Sequence, residues 1–315
     1  MVPTFDKRLL VVLGKGGVGK SLVASALARM ALARGKKVLL IQVNAKDSVS
    51  GYLGTEPIGD KIQEMEPNLW TVNIRPESAL KEYVLLQVKL ELIYRVVFEN
   101  RAVRYFLRAV PALNDLVVLG KIHYHAMQKD KEDRPLYDIV VLDAPPTGHG
   151  LSLLRIPKLL LSVVNTGPVH REALAMREFL EDPDKTAVHL VALPEEMPVS
   201  EAVEAAHRLK GDFGLPLGLL FVNKILQNTL HEGDESQVTR LEKLGDTLPA
   251  ARCAAQAAKR TMVREVSARR HLEELAEKLP LPRLHIPYWL EDDPAVMAQE
   301  TVAVLEAQWV GLGEG

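Results

Sequence analysis

Arg8-Leu9-Leu10-Val11-Val12-Leu13-Gly14-Lys15-Gly16-Gly17-Val18-Gly19-Lys20-Ser21 is the stretch that decides the fold. Residues 8–13 are almost wholly apolar and end at glycines, which reads as a short strand buried on both faces. Residues 14–21 fit G-x-x-x-x-G-K-[ST], a loop whose backbone N–H groups turn inward on an anion. Residues 21–34 are rich in alanine and leucine and stop at Gly35, the pattern of a helix with a glycine at its end. A second apolar run, 37–43, follows. Strand, glycine loop, helix and strand in this length make a right-handed βαβ unit.

Working outward, the apolar runs 137–143, 186–193, 217–223 and 283–287 also read as buried strands. Helical stretches such as 198–210 separate most of them. This alternation predicts an α/β fold: a doubly wound, mostly parallel sheet with helices on both faces. Residues 77–130 break it. Their apolar positions between 80 and 98 are wider than one amphipathic stripe, and Pro111 falls inside a similar run. The segment reads as a helical insertion on one domain spanning 1–315. Residues 227–278 read as helical and charged. Val302, Leu305, Trp309 and Leu312 recur at helical spacing, which predicts a docking helix over 295–312.

Composition narrows the function. Thirty-nine Lys and Arg against 41 Asp and Glu give a net charge of −2, with 47% hydrophobic and 25% charged residues. These are values of an ordinary globular chain, without the basic footprint of a nucleic-acid binder. One cysteine, Cys253, excludes an internal disulfide and any site needing two thiolates from one subunit. The opening apolar run is short and leads straight into the glycine loop, so it is not a signal peptide. No run approaches the roughly 18 apolar residues of a membrane span. The expected compartment is the cytoplasm, with membrane contact only through a partner.

The chemistry starts at the loop. Gly14, Gly16, Gly17 and Gly19, with Val18 among them, let the backbone wrap a phosphate closely. The next helix presents its positive end to the same anion. Lys20 is placed for the β- and γ-phosphates of a nucleotide, and the Ser21 hydroxyl for Mg²⁺. Lys15 is a second cation directly after the first glycine. It reads either as a finger reaching a neighbouring subunit's nucleotide or as a local offset to phosphate charge. Asp143 ends a strand where open α/β sheets bind ligands, and it reads as an indirect Mg²⁺ ligand. The turn Pro145-Pro146-Thr147-Gly148 then brings backbone toward the γ-phosphate. His149 reads as a loop-held structural histidine or as a proton carrier.

GKGGVGKS at 14–21, DAPPTGHG at 143–150, ALPEEMPVSEA at 192–202 and FVNKI at 221–225 together resemble the ArsA family of P-loop ATPases. That family includes arsenite-efflux ATPases and those that deliver tail-anchored membrane proteins, in the broader class of ParA and MinD. DAPPTGHG is the specific part. The resemblance implies ATP with Mg²⁺ as cofactors and a dimer, with Lys15 acting across its interface. It implies that Asn223 reads the adenine edge, where an amide pairs with N6 and N7. It also implies that the segment after Pro287 closes over the base.

The chain departs from the pattern after the second strand. The family has Asp-Pro there, and its aspartate orients the attacking water; here Asn44 and Ala45 occupy those positions. An amide can hold a water but cannot take its proton. The expectation is therefore a dimeric switch ATPase, homodimeric or paired with a related subunit, with slow hydrolysis coupled to partner or client handling. The alternative is a nucleotide-binding regulatory subunit that does not turn over. Asp47 is the nearby acid, and it replaces the missing one only if its loop bends. With one cysteine, neither a Cys-x-x-Cys zinc bridge nor a thiolate arsenite site is expected. His123 and His125 lack an evident third ligand. Leu85, Leu86, Ile93, Val97 and Phe106 of the insertion are either core or a groove for a client protein. A ParA- or MinD-like partitioning role ranks last, because 309–315 contains no lysine or arginine.

Overall fold

The computed structural model describes residues 4–76, 111–226, 234–244 and 248–311. Eight strands form one sheet: β1 (Leu9–Gly14), β2 (Val38–Val43), β3 (Gln63–Glu66), β4 (Leu69–Ile74), β5 (Ile139–Asp143), β6 (Thr186–Ala192), β7 (Leu217–Ile225) and β8 (Arg283–Pro287). Their order is β3-β4-β2-β5-β1-β6-β7-β8. Every neighbouring pair is parallel except the β3–β4 edge. The predicted α/β architecture is what the chain adopts.

The reason lies in a period of two within runs that look uniformly apolar. Leu9, Val11 and Leu13 join one core with Leu39, Ile41 and Val43. Leu10 and Val12 join a second core with Val38 and Leu40 on the opposite face. Both faces must be covered, so no polar residue is admitted along most of the run. Helices α1 (Lys20–Ala33), α2 (Val49–Leu53) and α9 (Pro294–Gly311) cover one face. Helices α3 (Pro111–Met127), α4 (Thr147–Val163), α5 (Pro168–Glu181) and α6 (Glu196–His207) cover the other. Helices α7 (Asp234–Leu244) and α8 (Pro249–Lys278) pack on each other, with Leu275 of α8 reaching the core of that second face.

The docking helix at the C-terminal end is α9. Trp309 is 1% exposed and lies 5.0 Å from the Phe5 ring. The Arg34 guanidinium lies over the same ring, 4.4 Å from its centre, and its Nη2 donates to Glu306 Oε2 at 2.9 Å. One aromatic cluster thus ties the chain's start, the end of α1 and α9 together. Leu312 lies outside the described residues.

Three local readings change. The turn read through Pro145–Gly148 is shorter, because Thr147 and Gly148 already form the first turn of α4 behind the N-cap Pro146. The helix read over 198–210 starts at Glu196 and closes in a π-helical turn, Arg208–Phe213. An antiparallel β3–β4 edge stands where no strand was expected. Of the helical insertion read over 77–130, helix α3 is described. Residues 77–110, with Leu85, Leu86, Ile93, Val97 and Phe106, lie outside the described residues.

Candidate functional site

The glycine loop sits at the C-terminal end of β1, near the centre of the sheet, and runs into α1. Two glycines are required by geometry. A Cβ on Gly14 would lie 2.4 Å from the Val191 carbonyl oxygen of β6. Gly19 has φ +98°, and a Cβ there would lie 2.2 Å from Asn223 Nδ2. The loop is therefore pressed against both neighbouring elements, and no side chain fits at either point.

Lys20 opens α1, and its Nζ donates to the Lys15 carbonyl at 3.1 Å, folding the ammonium over its own loop. Burial lowers its pKa, while Asp143 opposes that shift. A partly desolvated ammonium is a strong partner for phosphate. Ser21 Oγ donates to Asp143 Oδ2 at 2.6 Å and accepts from Ser48 Oγ at 3.0 Å. Gln42 Nε2 donates to the same Asp143 oxygen at 3.3 Å. Burial raises the Asp143 pKa, against the Ser21 bond, the Lys20 charge and the Gln42 bond. Asp143 Oδ1 and Gln42 Oε1 are buried without a hydrogen-bond partner. Unpaired buried oxygens beside a serine hydroxyl and a carboxylate are the donor set of a hydrated Mg²⁺. These residues would suit such a metal, with Ser21 to ligate it and Asp143 and Gln42 to order its waters.

The cleft in front of these groups has a volume of about 330 Å³ and is lined by Lys20, Ser21, Asn44, Asp143 and Pro146, among others. Asn44 follows β2 with φ +45°, a left-handed conformation that asparagine and aspartate tolerate better than most residues. Its N–H donates to the Ile74 carbonyl at 2.9 Å, and Asn73 bonds both the N–H and the C=O of Ala45. The position facing the cleft is thus fixed by backbone. Asp47 faces elsewhere: Oδ1 accepts from Ser50 N–H and Oδ2 from Ile58 N–H. Its carboxylate is engaged in holding the loop before and after α2.

Lys15 Nζ lies 2.8 Å from Glu201 Oε1 on α6 and 3.8 Å from Met197 Sδ. Asn223, 3% exposed, donates from Nδ2 to the Val18 carbonyl at 2.9 Å and accepts the Lys224 N–H at 2.8 Å. The amide anchors the loop from beneath. Pro287 closes β8 opposite Ile225, and the Tyr288 N–H donates to the Ile225 carbonyl at 2.8 Å. The next residues are pinned to α9 by Trp289 Nε1, which donates to Thr301 Oγ1 at 3.0 Å. His125 Nδ1 pairs with Gln128 Oε1 at 3.0 Å, and the His123 ring meets Phe179 edge-on.

The structure therefore brings Lys20, Ser21, Asn44 and Asp143 into one cleft, while Lys15 pairs with Glu201 and Asn223 holds the loop at Val18. Sequence reasoning missed Gln42 and Ser48. Gln42 carried a signal, as the one polar residue in Val38–Val43. Ser48 carried none.

The family model of anion-transporting ATPases, ArsA_ATPase, matches residues 7–170 and 165–245. The ATPase BagA of Mycobacterium tuberculosis is 31% identical over 301 residues, covering 89% of this chain and 87% of its own. The arsenical pump-driving ATPase of Escherichia coli is 26% identical, covering 76% of this chain and 41% of its own. That of Acidiphilium multivorum is 25% identical, covering 70% and 40%. Among the described residues, no helix is long and apolar enough to cross a membrane.

Proposed function

This chain belongs to the ArsA_ATPase family, and from that premise we propose that it is a Mg·ATP-dependent switch with slow turnover. The observation that carries the proposal is the cleft. Lys20, Ser21 and Asp143 stand in the order that phosphate and metal require, while Asn44 fills the place where the family's water-orienting carboxylate is expected. ATP phosphates lie along the N–H groups of 14–20 and against Lys20. Ser21 would hold Mg²⁺, which would supply charge neutralisation for the phosphates. Asn223 keeps one N–H and one lone pair for the adenine edge after its two bonds to the chain. The segment after Pro287 flanks the same side.

Asn44 positions the attacking water without accepting its proton, so turnover is slow. Closure of a dimer transfers Lys15 from Glu201 to the neighbouring subunit's phosphates, which makes nucleotide the signal for association. A homodimer or a pair with a related subunit both satisfy this geometry, and client handling falls to the segment after β4. We place this cycle in the cytoplasm. Asn44 equally favours a second reading, a regulatory subunit that binds nucleotide without turning it over.

Asn44→Asp separates the two. The backbone there suits aspartate, and general-base help is typically worth ~10²–10⁴-fold. On the switch reading the wild type releases phosphate slowly and Asn44→Asp raises kcat at least about tenfold, below that full range because Asn44 already positions the water. Turnover in the wild type equal to that in Asn44→Asp contradicts the reading. Phosphate release absent from both selects the regulatory subunit.

A further inference from the structure

The cleft does not end at Asn44. It continues into a second cavity of about 480 Å³ lined by Asn44, Pro76, Asp115, His149 and Arg155, among others. Asn44, Pro76, Asp115 and His149 line both cavities. Asp115 lies on α3 and His149 in the first turn of α4. Their side chains meet across the cleft, His149 Nε2 being 3.2 Å from Asp115 Oδ1. The Asp115 side chain is 13% exposed and that of His149 58%. Among the described residues lining the phosphate cleft, the carboxylates are Asp143 and Asp115. Asp143 is committed to Ser21 and Gln42, and Asp47 to backbone. Asp115 is the acid left on the side where Asn44 stands.

Resting on the ATPase reading above, we propose that His149 accepts the proton of the attacking water, with Asp115 as its positioning residue, in place of the carboxylate that Asn44 lacks. Asp115 accepts the Nε2–H of His149, which fixes the tautomer and leaves Nδ1 as the ring's acceptor. As the water oxygen bonds to the γ-phosphorus, the bond from phosphorus to the β,γ-bridging oxygen breaks. Its electron pair leaves on ADP, and the water proton passes to Nδ1. The imidazolium is held by the Asp115 carboxylate until it releases that proton to solvent, and the products are ADP and inorganic phosphate. Burial raises the Asp115 pKa and the neighbouring His149 pulls it back, which fits a carboxylate whose partner is this imidazole. The pair works at the exposed rim, so it gives a modest rate.

The test uses the full chain with Asp115→Asn, His149→Gln, their combination and Asp115→Glu, each also in the N44D background. Phosphate release gives kcat and KM, and calorimetric titration gives ATP affinity. Each single change is expected to lower kcat about 10²-fold with KM and ATP affinity nearly unchanged. The double variant should be no slower than the slower single, because the two act as one unit. Asp115→Glu should recover part of the rate. In the N44D background the loss should shrink, because a carboxylate is then present at the water. Unchanged kcat overturns the proposal, as does a loss that is undiminished in N44D or is accompanied by lost ATP affinity. A wild type that binds Mg·ATP tightly yet releases no phosphate overturns it while leaving the nucleotide site intact. A wild type that binds no ATP overturns both.

Discussion

Lys15 and Glu201 meet at 2.8 Å with side chains 29% and 36% exposed. An exposed pair of this kind is worth about 0–1 kcal/mol. On the proposed reading, a phosphate across a closed interface would outcompete it, so the contact would restrain Lys15 without trapping it. Lys15→Ala is expected to leave the Mg·ATP affinity of the monomer within about fivefold, since the pair it breaks is worth under about 1 kcal/mol, and to abolish nucleotide-dependent dimer formation. Sedimentation with and without Mg·ATP checks this; a dimer fraction unaffected by Lys15→Ala would remove the lysine from the interface. Legibility at this scale followed spacing. Lys20 and Ser21 were readable because their loop fixes them by position, and Asp143 because it ends an apolar run. Gln42 was marked only as the polar residue of its strand and Asp115 not at all, because the role of each depends on which neighbour the fold sets opposite. Glu201 was unreadable for the same reason: it reaches Lys15 only once α6 packs beside the loop.

Strands pair through residues that no pattern marks. His189 on β6 is fully buried, and its Nδ1 accepts the Leu219 N–H of β7 at 2.9 Å. A Cβ on Gly218 would lie 2.5 Å from the His189 ring, so that glycine makes room for it. Burial drives the His189 pKa down from 6.5 to about 3. The group is thus neutral in the folded state and takes a proton only on unfolding. Stability is complete above the unfolded value and falls as pH drops below it, by about 1.4 kcal/mol per pH unit, until the folded value is reached. Denaturant unfolding at pH 7 and pH 5 should show this fall. His189→Asn keeps an acceptor for Leu219 N–H but does not titrate. It should be less stable at pH 7 and show a smaller fall; equal falls would mean that His189 is not the source. Element types were legible where apolar runs were long. The β3–β4 edge was not, because Gln63–Glu66 is polar and one of its sides needs no apolar cover. The start of α4 hid behind Pro145 and Pro146, since a proline pair reads as a turn whether or not a helix follows.

Across the whole molecule, β1 lies between β5 and β6 with helices on both faces. The βαβ unit at 8–43 was readable in the sequence, but the place of β5 between its two strands was not, because strand order is set by long-range pairing. The glycine loop, Asp143 and Asn44 stand at the C-terminal ends of β1, β5 and β2, the edge where such sheets bind ligands. On the proposed reading, a change in the nucleotide would reach the loop after β2, α4 and α3 together, since Asn44, His149 and Asp115 all line the cleft. That arrangement is what a switch requires, two sets of contacts biased by one ligand.

The most direct test of the nucleotide cleft is calorimetric titration of the wild type and Lys20→Ala with ATP in Mg²⁺, alongside thermal unfolding of each. A charge-assisted contact of about 1.5–3 kcal/mol corresponds to a loss in affinity of roughly 10- to 150-fold. The expected result is saturable binding by the wild type and a loss of that size in Lys20→Ala, with both variants folded. Equal affinity in the two folded proteins would place ATP elsewhere and contradict the account.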